Sequence, residues 1–128
     1  MKVYVASSWR NRRQPSVVEY LQGCGHEVYD FRHPVAGNDG FNWAEIDPEW
    51  ERWTPRQFLD ALTSDIACSG FRLDAHALEK ADAVVMVMPC GRSSHLELGW
   101  AVGAGKLTAI LLDGPCEPLE PPIKAAPR

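Results

Sequence analysis

The sequence has no long hydrophobic run. Its apolar stretches, such as Ala83 to Met88 and Thr108 to Leu112, are far shorter than the roughly 20 residues that a membrane-spanning helix needs. The first residues do not resemble a signal peptide, because their short apolar run gives way at once to Trp9-Arg10-Asn11-Arg12-Arg13. We therefore expect a cytoplasmic protein that does not interact with a membrane.

The cysteines lack the spacing of a metal site. They have no C-x-x-C pair and no histidines at the sequence spacing of zinc ligands. The four cysteines are Cys24, Cys68, Cys90 and Cys116. In a reducing cytosol, four free thiols are expected. The sequence also lacks both glycine-rich phosphate loops, G-x-G-x-x-G and G-x-x-x-x-G-K-[ST]. We expect no metal and no cofactor.

Positive charge is in the minority. Thirteen Lys and Arg residues face seventeen Asp and Glu residues, which gives a formal net charge of −4. This balance argues against a protein that binds a nucleic-acid polymer, although it permits a local basic patch around a small anion. A length of 128 residues fits one globular domain, 1–128.

Strand and helix patterns alternate along the chain. Short apolar runs predict strands at Lys2 to Ser7, His26 to Phe31, Ala83 to Met88 and Leu107 to Leu112. Helical spacing and end signals predict helices at Pro15 to Gly23, Pro55 to about Asp65, about Phe71 to Lys80 and about Ser94 to Ala104. This alternation predicts an α/β fold: a flavodoxin/Rossmann-like parallel sheet of four to five strands with helices on both faces.

Two segments depart from the alternation. An aromatic-rich excursion at about 32–53 carries Phe41, Trp43, Trp50 and Trp53, and a tail from about residue 114 contains five prolines. The aromatic side chains could stack on a base, or they could simply pack the excursion onto the core. The tail is expected to wrap the surface or a partner.

The loops that follow the first and third strands are the expected place for a ligand. In a doubly wound sheet, ligands bind at the carboxyl ends of the strands, near the switch point. The residues there that favour an anion are hydroxyls, glycine and arginine: Ser7, Ser8, Arg10, Gly91, Arg92, Ser93 and Ser94. Helix capping and a solvated loop are the structural alternative.

The other candidate side chains have structural explanations as well. Ser94-x-x-Glu97 has the pattern of a capping box, and Asp74 could be a solvated helix residue. Asp82 fits a cap at the entry to the third strand, and His95 fits a cap or loop contact.

Three stretches resemble the nucleoside 2-deoxyribosyltransferase family, which includes the nucleoside 5′-monophosphate N-glycosidases. They are Tyr4-Val5-Ala6-Ser7-Ser8, then Asp74 followed by Ala81-Asp82-Ala83-Val84-Val85, and finally Ser94-x-x-Glu97-x-Gly99-x-Ala101-x-x-x-Gly105-Lys106. The resemblance covers Lys2 to Asp30 loosely and Asp74 to Leu112 well. It implies a flavodoxin-like sheet and cleavage or transfer at the N-glycosidic bond.

The resemblance implies roles for three residues. Glu97 would be the nucleophile at the anomeric carbon, Tyr4 would orient it, and Asp74 would assist proton transfer to the departing base. The ligand would be a small nucleoside or nucleoside 5′-monophosphate, and a homo-oligomer would help to close the site. A TIR-like module that binds NAD-type nucleotides without transferase activity is the alternative, and a flavin carrier is a further one.

Overall fold

The computed structural model describes residues 1–112. Four strands alternate with helices in this part of the chain. The strands are β1 (Lys2–Ala6), β2 (Glu27–Asp30), β3 (Ala83–Val87) and β4 (Leu107–Leu111). The helices are α1 (Gln14–Gly23), α2 (Pro55–Ala61), α3 (Asp65–Lys80) and α4 (Arg92–Gly103), with two short 3-10 helices at Trp43–Glu45 and Trp50–Arg52. The proline-rich tail predicted from about residue 114 lies outside the described residues.

The sheet is parallel throughout, with strand order β2-β1-β3-β4. Alternate side chains of β1 face opposite layers: Val3 and Val5 pack with Val18 of α1, whereas Tyr4 packs with Ala101 of α4. Helices therefore cover both faces, and the predicted α/β architecture of the flavodoxin/Rossmann type is confirmed. The switch point lies between β1 and β3, as expected from the strand order.

The predicted boundaries of α2 and α3 were wrong. The helix that begins at Pro55 ends at Ala61, and the next one begins at Asp65 instead of Phe71. The reason is a second N-cap: the Ser64 side chain accepts a hydrogen bond from the Ala67 amide at 3.2 Å and starts a new helix. This helix runs through Gly70 without interruption, so Asp74 lies in its interior.

The capping-box interpretation of Glu97 was also wrong. Helix α4 begins at Arg92, and its N-cap is Gly91, so Ser94 is a helix residue. The Ser94 hydroxyl instead donates a hydrogen bond to the Ser7 carbonyl at 2.9 Å. Glu97 therefore has no capping role, and its side chain is available to the neighbouring strand ends.

Strand β4 forms one edge of the described sheet, and all five of its residues are exposed. An apolar groove of about 650 Å³ runs between it and α1, lined on the α1 side by Val17 and Tyr20 and on the strand side by Ala109 and Leu111. Within residues 1–112, no helix combines the length and apolar character needed to span a membrane.

Candidate active site

The loops after β1 and β3 are joined at the switch point by hydrogen bonds. The Ser7 hydroxyl donates to the Val87 carbonyl at 2.9 Å, and the buried Asn11 amide donates to the carbonyls of Val87 and Pro89 at 3.1 Å each. These bonds satisfy the buried polar groups at the strand ends. These hydrogen bonds hold the two loops together at the base of the candidate site.

Two tyrosines form hydrogen bonds with two carboxyl groups in the candidate site. Tyr4 and Tyr29 stack with their ring centroids 5.3 Å apart and their planes at 13°. The Tyr29 hydroxyl donates to Asp74 Oδ1 at 2.7 Å, and the Tyr4 hydroxyl is hydrogen-bonded to the Glu97 carboxyl. The residues that the sequence linked to catalysis, Tyr4, Asp74 and Glu97, therefore lie together.

Sequence reasoning missed Tyr29. Tyr29 could have been found from the pairing of β1 with β2, because the parallel register sets it directly beside Tyr4. Neighbouring residues on one face of a sheet interact in this way.

The two carboxyl groups have raised pKa values. Burial, followed by the nearby charge of Asp74, raises the pKa of Glu97 to about 7, and the Tyr4 hydrogen bond opposes this change. Burial raises the pKa of Asp74 as well, and the Tyr29 hydrogen bond opposes it. Each charge disfavours the other, so near neutral pH the pair favours a state with one ionised carboxylate and one carboxylic acid. That combination suits a nucleophile and a general acid.

The tyrosines remain protonated donors. Burial is the largest cause of the raised pKa of both Tyr4 and Tyr29, and the neighbouring carboxyl groups raise these values further. Each hydroxyl therefore keeps its proton at physiological pH and stabilises its carboxyl partner by hydrogen bonding.

One cavity of about 1360 Å³ contains most of the predicted site. The catalytic candidates in its lining are Tyr4, Asp74 and Glu97, and the binding candidates are Ser7, Ser8, Arg10, Trp43, Gly91 and Ser93. Two predicted residues are placed elsewhere: Arg92 is exposed outside the lining, and the buried Ser94 hydroxyl is bound to Ser7.

Three side chains near the site have identifiable contacts. Arg10 forms an exposed ion pair with Glu51 at 3.7 Å, which joins the β1 loop to the excursion. His95 Nδ1 lies 2.8 Å from the Gly91 carbonyl, which confirms a loop contact. The Asp82 carboxylate accepts a hydrogen bond from the Lys2 amide at 2.7 Å, which confirms its structural role at strand entry.

Five aromatic side chains form a cluster at the far side of the cavity, which we call the aromatic cluster: Phe41, Trp43, Trp53, Phe58 and Phe71. Their neighbouring ring centroids lie between 4.8 Å (Phe41 and Trp43) and 6.1 Å (Trp43 and Phe71) apart. The cluster joins the excursion to α2 and α3, which confirms that Trp43 and Trp53 pack the excursion onto the domain. Trp43 also lines the cavity, so its stacking on a base remains a prediction.

Gly40, which also lines the cavity, closely approaches its neighbours, and this predicts a large cost for a side chain there. Its φ is +84°, and an added Cβ would lie 2.5 Å from the Phe31 carbonyl oxygen and 2.7 Å from the Trp9 ring. We expect Gly40→Ala to lower the free energy of unfolding by about 2–4 kcal/mol, since overpacking adds to backbone strain. Urea denaturation measures this change.

Gly37 provides the matched control. Its φ is +78°, but an added Cβ meets nothing within 4 Å, so Gly37→Ala carries the strain alone, about 1 kcal/mol. Equal losses in the two variants would contradict a packing role for Gly40.

Comparisons with known proteins add no assignment. No family model, no curated protein and no solved structure matches the chain significantly. Among residues 1–112, no group of three or more His, Cys, Asp or Glu side chains is placed to hold a metal ion. The fold and the site therefore define a parallel α/β domain with a pair of coupled carboxyl groups in an open cavity, and the activity is inferred from that chemistry.

Proposed function

We propose that the protein cleaves or transfers the N-glycosidic bond of a nucleoside or nucleoside 5′-monophosphate. The observation that carries the proposal is the coupled pair of Glu97 and Asp74, which share one cavity and have raised pKa values. Anomeric substitution needs a carboxylate at the sugar and a proton for the leaving group, and the pair supplies both.

The first step begins from the form of the pair in which the shared proton lies on Asp74, and the ionised Glu97 attacks the anomeric carbon. A bond forms between a carboxylate oxygen and that carbon while the bond from carbon to the base nitrogen breaks, and the electron pair leaves with the base. Asp74 transfers its proton to the base, which departs neutral. The Tyr4 hydroxyl orients Glu97, and the Tyr29 hydroxyl orients Asp74.

In the second step, a water molecule or a second base attacks the same carbon from the vacated side. The ester bond to Glu97 breaks, and the carboxylate is regenerated. The ionised Asp74 accepts the proton of the incoming nucleophile, as microscopic reversibility requires. Water gives hydrolysis and a base gives transfer.

The beginning of α4 supports an anionic group at the other end of the ligand. Its N-cap is Gly91, which provides no side-chain acceptor for the first amides of the helix. Gly91 and Ser93 line the cavity, as does Arg10. Unpaired amides and the helix dipole favour a phosphate at this position.

A product assay tests the proposal. Nucleosides, nucleoside 5′-monophosphates and NAD are incubated with the protein, with and without a free acceptor base, and the products are identified by mass spectrometry. We expect free base from a nucleoside or its monophosphate, and a new nucleoside or nucleotide if transfer occurs. Stabilisation of the fold by NAD, without release of base from any compound, would instead favour the TIR-like binding module.

A further inference from the structure

The aromatic cluster presents open ring surface to the cavity that contains the carboxyl pair. Four of its five members line this cavity: Phe41, Trp43, Phe58 and Phe71. Phe58 is 42% exposed and Phe71 is 40% exposed, whereas aromatic side chains that serve only as packing are usually much more buried. The cluster therefore has unoccupied apolar surface after it has joined the excursion to the helices.

Its position relative to Asp74 determines which end of a ligand it would meet. Phe71 precedes Asp74 by three residues on α3, so the two side chains lie on the same face of the helix. In the proposed reaction, Asp74 faces the departing base, and the anionic end of the ligand lies at Gly91 and Ser93 of α4. Phe71 therefore places the aromatic cluster beside Asp74, on the base side of the proposed ligand.

The size of the cavity agrees with a ligand larger than a simple nucleotide. Its volume of about 1360 Å³ exceeds the usual range for small-molecule sites, about 300–1,000 Å³. The extra space is bordered by ring edges and faces, which favour a planar aromatic group by offset or edge-to-face contact.

We propose that the aromatic cluster is a subsite for a second aromatic ring carried by the base of the ligand. The inference rests on the proposed function, because that function defines the base side of the cavity. The substrate class is then a nucleoside or nucleotide whose base is enlarged by an aryl substituent.

Binding of a matched pair of ligands tests the subsite. The dissociation constants of 2′-deoxyadenosine 5′-monophosphate and its N6-benzyl derivative are measured by calorimetry on Glu97→Gln, which does not consume them. We expect the benzyl compound to bind at least about tenfold more tightly, equivalent to ~1.4 kcal/mol. Phe58→Ala, added to Glu97→Gln, reduces this preference at least about threefold.

Leu59→Ala is the control. Leu59 is the next residue on α2, is 58% exposed and does not line the cavity, so its removal leaves the preference unchanged. Equal reductions in the two variants would overturn the subsite, because they would indicate a general effect on α2.

The remaining outcomes distinguish the two proposals. Equal affinity for both nucleotides, together with base release from the unsubstituted one, overturns the subsite and leaves the proposed function intact. Failure of both nucleotides to bind overturns the subsite, and the product assay on the full set of nucleosides and nucleotides then decides the proposed function. NAD is the third ligand: if Phe58→Ala weakens NAD binding more than binding of the benzyl compound, the ring is carried by a second nucleotide and the placement beside the base is wrong.

Discussion

We expect Glu97→Gln to abolish the proposed base release, with a fall in turnover of at least about 10³-fold, because the amide cannot form the glycosyl ester. The substitution keeps the size of the side chain and retains an oxygen for the Tyr4 hydrogen bond. Mass-spectrometric measurement of free base over time follows the loss. Glu19→Gln, which changes an exposed glutamate of α1, serves as the control and keeps full turnover.

Glu97→Gln is expected to raise the stability of the fold, although it lowers turnover. Because the pKa of Glu97 rises on folding to about 7 from the ordinary value of 4.5, the folded state binds more protons than the unfolded state between these values. The contribution of Glu97 to the free energy of unfolding therefore decreases as pH rises from about 4.5 to 7. Above pH 7 this contribution stays at its lowest value.

Glu97→Gln removes this loss of stability. We expect its melting temperature to exceed that of the wild type by several degrees at pH 8, with a smaller difference at pH 5. Scanning calorimetry at both pH values measures the effect. Full turnover in the variant, or a lower melting temperature at pH 8, would contradict the placement of Glu97 as a buried nucleophile.

If Asp74 is the general acid of the proposed reaction, we expect Asp74→Asn to lower turnover by about 10²–10⁴-fold on ordinary substrates. Substrates whose base leaves without a proton separate this role from a structural one. An N7-methylated purine nucleotide releases a neutral base directly, so its cleavage falls much less. A uniform loss on both kinds of substrate would indicate that Asp74 only holds the site together.

The pH profile provides a second measurement on Asp74→Asn. In the wild type, kcat/KM falls as pH rises through about 7, because the pair of carboxyl groups then loses the one proton that it shares. The variant lacks the nearby charge that helps to raise the pKa of Glu97, so its residual kcat/KM rises with the ionisation of Glu97 at a midpoint below 7. An unchanged midpoint would mean that the two carboxyl groups do not interact in solution.

Most strands and helices could be predicted from the sequence because each is indicated by a local pattern of residues. The apolar run around Val84 indicated a strand covered on both sides, and Gly105 marked the end of a helix. The positions of Asp74 and Glu97 in one cavity followed from strand order and family resemblance together. These predictions depended on short segments and on the general rule for parallel sheets.

What the sequence did not reveal depends on contacts between distant segments. Tyr29 and Asp74 are 45 residues apart, and their hydrogen bond exists only because α3 packs on the face of the sheet to which Tyr29 points. Ser94 was assigned to a cap because its local pattern fits one, yet its partner is Ser7, 87 residues away. Neither contact can be derived from local propensity.

The excursion at 32–53 lies between β2 and α3 in the sequence, and it contributes neither residue of the carboxyl pair. Tyr4 and Glu97 are held by β1 and α4, to which the excursion contributes no residue. We therefore expect substitutions in the excursion, such as at Trp43, to change which ligand is accepted while the acidity of the pair persists. Selectivity and reactivity would then be able to change independently, since separate stretches of the chain encode them.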